Sequence, residues 1–264
     1  MQIIPPFFRI NIVQLIMLLA LNSTCLSQEN TSLLANEQLK YRIHLGFIDA
    51  AVATIHTHGQ TQQINNRQAR KIDITGKTVG ILNVISPVVD YWSAYLDTEN
   101  HLPLKTESRK KEGRYRKEET VIFDHANQIA KITSPQNSPT TKNFPIESTT
   151  LDLIGGYFFL RDKPLGEMKI GQKQKAKILV DGSVYEIWFI VKGFEKIEGP
   201  WGLKNCIRTT LVLPKNKLFK EEDAIQLWIT NDRYQVPFKM EVNLKIGFLT
   251  IDLTQYTIAG KNIY

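Results

Sequence analysis

Hydrophobic and polar positions alternate with a period of two along most of the chain. Leu39, Tyr41, Ile43 and Leu45 are apolar, and the residues between them are polar. This pattern is typical of a strand with one face on a core and the other in solvent. It recurs in short segments separated by Gly, Pro, Asn and Asp, so we expect short connections and antiparallel pairing.

Two segments depart from this alternation. Residues 151–160 (LDLIGGYFFL) are the strongest helix candidate, since Thr150 or Asp152 can cap the helix. The two adjacent glycines inside it weaken that prediction, because glycine disfavours helix interiors. Residues 77–85 are apolar without alternation and predict either a short helix or a crossover.

The predicted fold class is mainly all-β. We expect an antiparallel meander of about 10–12 strands, curled into a half-barrel or open barrel, with one or two short helices. Segment 184–194 (VYEIWFIVKGF) is apolar on both faces. A half-exposed sheet buries only one face. The concave side of this strand should therefore be covered by the helix, by a second sheet or by an apolar ligand.

Three connections give local predictions. Residues 225–230 and 236–246 should form a hairpin, with Pro237 at a strand start or on an edge because it lacks an N–H. Residues 134–143 (SPQNSPTTKN) hold two prolines and no large apolar side chain, which predicts a surface loop. Residues 110–113 form a charged loop between two further strands.

The N-terminal residues have the pattern of an export signal. Arg9 precedes an apolar run at 12–21, and small polar residues follow it. The run is shorter than the roughly 20 apolar residues of a membrane-spanning helix. We therefore interpret residues 1–27 as a signal peptide, 28–38 as a leader and 39–264 as a single half-barrel domain.

Two processing routes remain open at the end of the predicted signal. Cleavage after Ser27 gives a soluble periplasmic protein that begins at Gln28. Acylation of Cys25 gives an outer-membrane lipoprotein instead. Either route leaves Cys206 without a cysteine partner for a disulfide, and we expect it to be a small buried side chain.

Charge narrows the choice of partners only slightly. The 264-residue chain has a net charge of +7, and removal of residues 1–27 leaves +6. In an exported protein this basic balance favours anionic lipid or envelope glycan over nucleic acid, although solubility alone also explains it. Six basic residues surround the predicted charged loop, which is either a solvated hairpin tip or a dock for an anionic surface. They are Arg109, Lys110, Lys111, Arg114, Arg116 and Lys117.

The sequence contains none of the motifs that carry familiar chemistry. It lacks the spacings of serine hydrolases, zinc peptidases, dithiol redox sites and phosphate-binding glycine loops. A metal site needs three or four converging ligands, and the five histidines do not suggest one. We therefore predict a non-enzymatic protein with no cofactor and no metal.

Five segments in order form a further pattern: 39–46, 91–97 (YWSAYLD), 152–161 (DLIGGYFFLR), 199–206 (GPWGLKNC) and 225–237 (IQLWITNDRYQVP). Their order and spacing resemble the exported bacterial family catalogued as domain of unknown function 3108. The resemblance implies a Gram-negative periplasmic or outer-membrane-associated protein. It also implies an antiparallel half-barrel similar to lipoprotein carriers and to a capsule-export lipoprotein, and no catalytic residue.

These observations lead to a functional hypothesis. The protein binds a lipophilic or glycan-linked ligand or assists envelope assembly; the alternatives are an adaptor that docks another envelope protein and, third, an enzyme without a recognisable motif. Membrane contact is peripheral unless Cys25 carries an anchor. Trp228, opposite Leu227 and Ile229, is expected on the concave wall. Six aromatic residues are candidates for the ligand-binding wall, with core packing as the alternative for each: Tyr91, Trp92, Tyr95, Phe158, Trp188 and Trp228.

Overall fold

The computed structural model describes residues 33–135, 140–213, 223–244 and 247–264, which form strands, two α-helices and a short 3-10 helix at Leu165–Glu167. The helices are α1 (Gly80–Ile85) and α2 (Leu153–Arg161). The 15 strands are β1 (Glu37–Leu45), β2 (Ile48–Ile64), β3 (Arg67–Thr78), β4 (Val89–Asp97), β5 (Pro103–Glu112), β6 (Tyr115–Asp124), β7 (Ile129–Ser134), β8 (Thr140–Pro145), β9 (Lys173–Val180), β10 (Ser183–Gly199), β11 (Gly202–Val212), β12 (Ile225–Thr230), β13 (Pro237–Leu244), β14 (Gly247–Ile258) and β15 (Lys261–Asn262).

All described strands belong to one antiparallel sheet. Strands pair in sequence order from β1 to β8 and from β9 to β14, and the pairing of β1 with β14 joins the two runs. β15 pairs with β14 alone. β8 and β9 are the outer strands, and within the described residues no pairing between them closes the sheet. The predicted open meander is therefore confirmed.

The strand count exceeds the prediction because some strands lack an apolar alternation. β8 lies partly within 134–143, the stretch predicted as a surface loop, which is a correction. It pairs with β7 although most of its side chains are exposed. β1 begins at Glu37, inside the predicted leader. The predicted signal peptide and residues 28–32 lie outside the described residues.

The two predicted hairpins are present, although one of their connections is shorter than predicted. β12 pairs with β13, and Pro237 is the first residue of β13, as expected. β5 and β6 also pair, but residues 110–112 belong to β5, so the predicted four-residue loop is a turn at 113–114. Segment 77–85 contains helix α1, which buries none of its residues.

Helix α2 lies against the inner face of the curled sheet. Its Ile154 and Phe158 pack with Ile72, Ala94 and Leu96 from β3 and β4. From the same helix, Leu160 belongs to a second buried cluster that draws on β9 to β12. The helix thus fills the space between the two halves of the sheet.

The apolar inner face of β10 is covered by this helix, because Ile187, Phe189 and Val191 are buried in the cluster that contains Leu160. The glycines that weakened the helix prediction have a packing role. A Cβ added to Gly156 would lie 2.6 Å from the Cδ1 atom of Ile178 on β9. Glycine therefore allows α2 to approach the sheet closely.

The gap between β8 and β9, which we call the seam, is bridged without strand pairing. Leu151 donates its N–H to the Lys177 carbonyl and accepts from Leu179 N–H, both at 2.8 Å, so it covers the free edge of β9. Across the same gap, the Lys117 ammonium on β6 donates to Asp181 Oδ1 at 2.7 Å. Such covering protects an edge strand from pairing with other chains.

The two ends of the curled sheet differ. The turns β1–β2, β5–β6 and β9–β10 and the α1 connection lie at one end, because neighbouring strands are antiparallel. The turns β2–β3, β10–β11 and β12–β13 lie at the other. Helix α2 begins near the first end, which we call the open end, and Arg161 in its last turn reaches the second, the closed end.

A buried ion pair occupies the closed end. Arg161 donates from Nη1 to Glu37 Oε2 at 2.7 Å and from Nη2 to Glu37 Oε1 at 2.8 Å. The Tyr256 hydroxyl also donates to Glu37 Oε1, at 2.7 Å. Burial alone would lower the pKa of Arg161, but Tyr157, Glu37 and Tyr256 raise it above its usual value. The pair is thus fully partnered and ties α2 to β1 and β14.

Candidate ligand-binding site

A cavity of about 300 Å³ lies at the open end, between the inner face of β3 to β7 and the β9–β10 turn. The first turn of α2 forms part of its wall. Most of the wall is apolar, in the manner of small-molecule pockets. The large apolar side chains that line it are Ile74, Trp92, Val121, Phe123, Ile132, Leu153, Ile154 and Leu179.

Strand register explains why these side chains meet. Ile74 on β3 pairs with Trp92 on β4, and Val121 on β6 pairs with Ile132 on β7. Directly paired residues present their side chains to the same face of a sheet. Leu179 reaches this wall from β9, on the other side of the seam.

The mouth of the cavity is charged. Lys110, Glu119 and Asp181 line it, and Lys117 bridges Glu119 and Asp181 at 3.1 and 2.7 Å. Burial opposes the charge on Lys117, but hydrogen bonds to the two carboxylates raise its pKa to about 12. An apolar interior with a charged mouth suits an amphipathic ligand whose polar group stays near solvent.

Asp152 supplies a carboxyl group to the cavity wall. Its Oδ1 atom accepts the Gly155 N–H at 2.7 Å, which caps α2 as predicted. Burial raises the pKa of this carboxyl to about 6, although hydrogen bonds from the Gly155 and Ile154 amides act in the opposite direction. The group therefore changes charge in a range close to neutral pH.

One of the six predicted wall residues, Trp92, lines the cavity. Phe158 packs in the adjoining buried cluster and is fully buried by α2 and the sheet. Tyr91 and Tyr95 point to the opposite face of β4, because side chains alternate along a strand. There the Tyr91 hydroxyl donates to Asp73 Oδ1 at 2.7 Å, and Tyr95 packs with Leu104.

The two remaining tryptophans do not line the cavity either. Trp188 alternates with the helix-facing residues of β10, and its Nε1 donates to Glu186 Oε1 at 3.1 Å. The predicted concave position of Trp228 is wrong. Leu227 and Ile229 face the helix-containing core, so Trp228 points away from it, where it is buried and donates to Glu195 Oε2 at 3.0 Å.

Most of the wall is made of residues that were not predicted from the sequence, because the predicted wall residues are all aromatic. Val121, Phe123 and Ile132 show the same alternation as core strands, which was the available signal. Asp152 was recognised only as a cap. These residues differ from core residues because their side chains border an unfilled cavity. A local sequence pattern does not indicate such a cavity.

A second feature lies on the outer face of β2 to β6. It is an open groove of about 640 Å³, which we call the basic groove. Five of its lining residues are basic and two, Asp90 and Glu118, are acidic. Tyr91 lies in it, with the Arg109 guanidinium 4.9 Å from its ring centroid. The basic residues are Lys77, Arg109, Lys110, Lys111 and Arg116.

Two other reactive groups, a thiol and a carboxylate, are buried or held by hydrogen bonds within the fold. Cys206 is buried as predicted, and burial raises its pKa to about 12. On β3, Asp73 accepts from His58, Tyr91 and Ser93 at 2.7 Å each. Burial opposes its charge, but these hydrogen bonds lower its pKa to about 2. Among the described residues, no three metal-binding side chains are arranged to hold an ion.

Comparison with known proteins identifies a family and a fold. A family model described as protein of unknown function (DUF3108) matches residues 40–254. The crystal structure of a beta-barrel-like protein of domain of unknown function DUF1849 from Brucella abortus is similar, with a TM-score of 0.56. The two chains are 8% identical, and the match covers 85% of this chain and 98% of that one. At this identity the likeness concerns the fold alone.

A further structure is more distant. It is a candidate exported protein with a YmcC-like fold from Bacteroides fragilis, 10% identical, with 84% of this chain and 96% of that chain covered. Its TM-score of 0.33 is too low to support an inference. Among the curated proteins compared, none matches this sequence. Within the described ranges, neither helix has the length and apolar character to cross a bilayer.

Proposed function

The chain belongs to the DUF3108 family, whose function is unassigned, and on that premise we propose that it is an exported, non-enzymatic carrier of an acyl chain. The observation that carries the proposal is the apolar cavity at the open end. A space lined by side chains such as Val121, Ile132 and Leu179 disfavours water and favours hydrocarbon.

The size of the cavity limits the ligand. Its volume of about 300 Å³ is about twice that of an engineered apolar cavity of ~150 Å³ that binds benzene. It also lies at the lower limit of ligand pockets, which range over roughly 300–1,000 Å³. The ligand we propose therefore inserts part of one alkyl chain, and its polar group stays at the charged mouth.

The proposed compartment follows from the N-terminal residues. The signal-peptide pattern of residues 1–27 supports export to the periplasm. Release at Ser27 gives a soluble carrier, and acylation of Cys25 gives one anchored in the outer membrane. A soluble carrier moves a chain between membranes, and an anchored one receives or inserts it at one membrane.

Native mass spectrometry of protein purified from the envelope tests the proposal. We expect a co-purifying lipid on the wild-type chain. Ile132→Trp fills the cavity from β7 and should reduce the bound fraction at least about tenfold, since bulk in a filled pocket excludes the chain. Val121→Phe is the milder substitute if Ile132→Trp fails to fold.

Ile190→Trp is the matched control, because Ile190 is only half-buried and alternates with the helix-facing residues of β10. It should keep the bound lipid. A wild-type protein that carries no lipid and binds no added fatty acid would contradict the carrier proposal. That result would favour the alternative, an adaptor that docks another envelope protein.

A further inference from the structure

The open end exposes several large apolar side chains. Phe47 in the β1–β2 turn is 92% exposed, and Val84 and Ile85 of α1 are 78% and 71% exposed. Soluble proteins rarely leave such residues together in solvent without an interaction partner. We call this set the apolar rim; its members are Phe47, Ile81, Val84, Ile85, Val89 and Phe248.

The rim is one surface, because its segments are neighbours. The N–H of Val79, just before α1, donates to the Ala50 carbonyl at 3.0 Å, so α1 lies beside the start of β2. Phe47 is in the turn that precedes this start. On the adjoining strand, Phe248 lies two residues before Thr250, which pairs with His44 at the end of β1.

The helix in the rim, α1, buries none of its residues in the described structure. All of its residues are at least partly exposed, although four of its six residues (GILNVI) are large and apolar. A short helix gains its stability from packing an apolar face, and this one presents that face outward. We therefore expect the exposed apolar face of α1 to be the part of the rim that gains most from contact with an apolar partner.

The basic groove continues the rim. Lys77 pairs with Val89 where β3 and β4 flank α1, and both residues line the groove. The groove carries five basic side chains against two acidic ones, and one of the acids, Asp90, is buried and accepts the Lys111 N–H at 3.0 Å. An apolar surface with an adjoining basic surface is complementary to a bilayer with anionic head groups.

We propose that the open end docks on an anionic lipid bilayer, with the apolar rim among the upper acyl chains and the basic groove on lipid phosphates. Apolar insertion and attraction to anionic head groups add in this mode of binding. The docking surface shares only Lys110 with the lining of the cavity, so the proposal stands even without a bound acyl chain. With one, docking brings the mouth of the cavity to the lipid.

The test is sedimentation of the purified protein with vesicles of phosphatidylglycerol and phosphatidylcholine, beside vesicles of phosphatidylcholine alone. The wild type should bind the anionic vesicles, and salt should weaken binding. Val84→Glu should reduce partitioning at least about tenfold, because it removes an inserted side chain and adds repulsion. Lys111→Glu should reduce it roughly fivefold or more, from the loss of one cationic contact.

Matched controls lie at the closed end. Leu203 is 63% exposed at the start of β11, and Lys261 is exposed in β15. Leu203→Glu and Lys261→Glu repeat both substitutions away from the rim and should bind like wild type. Unfolding midpoints check that all four variants are folded, which is expected for exposed positions.

Three results would overturn the proposal: no binding of wild type to either vesicle, equal binding to both, or equal losses in the closed-end controls. The first would leave the rim as a contact for a protein partner. Native mass spectrometry separates this test from that of the carrier proposal. Val84→Glu should keep any bound lipid while losing vesicle binding, whereas Ile132→Trp should do the reverse.

Discussion

A buried carboxyl group lies at each end of helix α2, and the two groups have different hydrogen-bond partners. At the closed end, Glu37 receives two hydrogen bonds from Arg161 and one from Tyr256. At the open end, the Asp152 carboxyl receives backbone N–H groups from Gly155 and Ile154, and burial raises its pKa to about 6. The Glu37 carboxylate is thus paired with a cation, whereas the Asp152 carboxyl group is stabilised only by backbone N–H dipoles.

The difference between the two ends indicates that the closed end serves stability and the open end serves binding. The closed end is filled by side chains and by a charge pair that must stay intact, so it fixes the helix within the sheet. The open end keeps a cavity, a charged mouth and exposed apolar side chains. Binding sites commonly lie in such less tightly packed regions, which can open at lower cost than the core.

The largest expected effect is at the closed end. Arg161→Met should cost about 3–5 kcal/mol of unfolding free energy, because it leaves the Glu37 carboxylate buried without its cation. Denaturant unfolding measures this loss. Adding Glu37→Gln to Arg161→Met should recover part of it, since the stranded charge is then removed.

Arg42→Met is the control for that experiment. Arg42 pairs with Asp49 near the open end, where both side chains are about half exposed. Exposed ion pairs contribute roughly 0–1 kcal/mol. Equal losses in Arg161→Met and Arg42→Met would show that the buried pair does not hold the closed end.

Two tryptophans sharpen the comparison. Trp228→Ala should cost about 3 kcal/mol, the low end for a buried Trp, because the Lys239 chain beside the ring can move into the space. Trp92→Ala should cost less, since Trp92 borders a cavity, but should weaken binding of a fluorescent fatty acid. Unfolding and probe titration of both variants test this. If Trp228→Ala lost the probe and Trp92→Ala kept it, the cavity would not be the binding site.

The fold was largely predictable because its strands are amphipathic. Wherever one face is buried, apolar residues alternate, and the sequence pattern reports it. β8 escaped because most of its side chains are exposed, so no alternation marks it. The ion pair at the closed end also escaped. Glu37 and Arg161 are 124 residues apart, and each residue type is usually solvated, so neither signals a buried partner.

The candidate site was only partly predictable. Of the predicted wall residues, Trp92 lines the cavity, whereas Trp228 is packed on the other face of the sheet. Aromatic residues serve cores and binding walls alike. A cavity is a volume left over by side chains from β3 to β9, so its position depends on non-local packing. The sequence pattern therefore predicts core positions for residues such as Leu179 and Ile132, and only the packing of their neighbours shows that they border a cavity.

Asp152 makes stability depend on pH. Its folded pKa, about 6, exceeds the ordinary 3.8. Its protonated form is therefore favoured in the fold, and this contribution is full below about pH 4 and lost as pH rises through about 6. Relative to Asp152→Asn, which keeps the cap, wild type should lose roughly 2–3 kcal/mol between these limits.

Denaturant unfolding at several pH values measures that difference. The control is Asp124→Asn at the exposed end of β6, where hydrogen bonds from the Asn127 side chain lower the carboxyl pKa. A lowered pKa gives the opposite sign, so wild type should gain stability over this control as pH rises. Parallel curves for wild type and Asp152→Asn would show that the open-end carboxyl is not strained by burial.

The smallest expected effect concerns the seam beside the cavity mouth. Lys117→Met removes the bridge to Asp181 but should cost less than about 1 kcal/mol, because the pair is partly exposed. Its expected signature is kinetic. The β9–β10 turn loses a contact that holds it to β6, so a fatty-acid probe should leave the cavity faster.

Lys239→Met is the control, because Lys239 pairs with Glu241 at 2.7 Å with similar exposure and lies away from the seam. Stopped-flow displacement measures both variants. Equal release rates in wild type and Lys117→Met would mean that the ligand does not leave through the seam, and that the open end opens elsewhere.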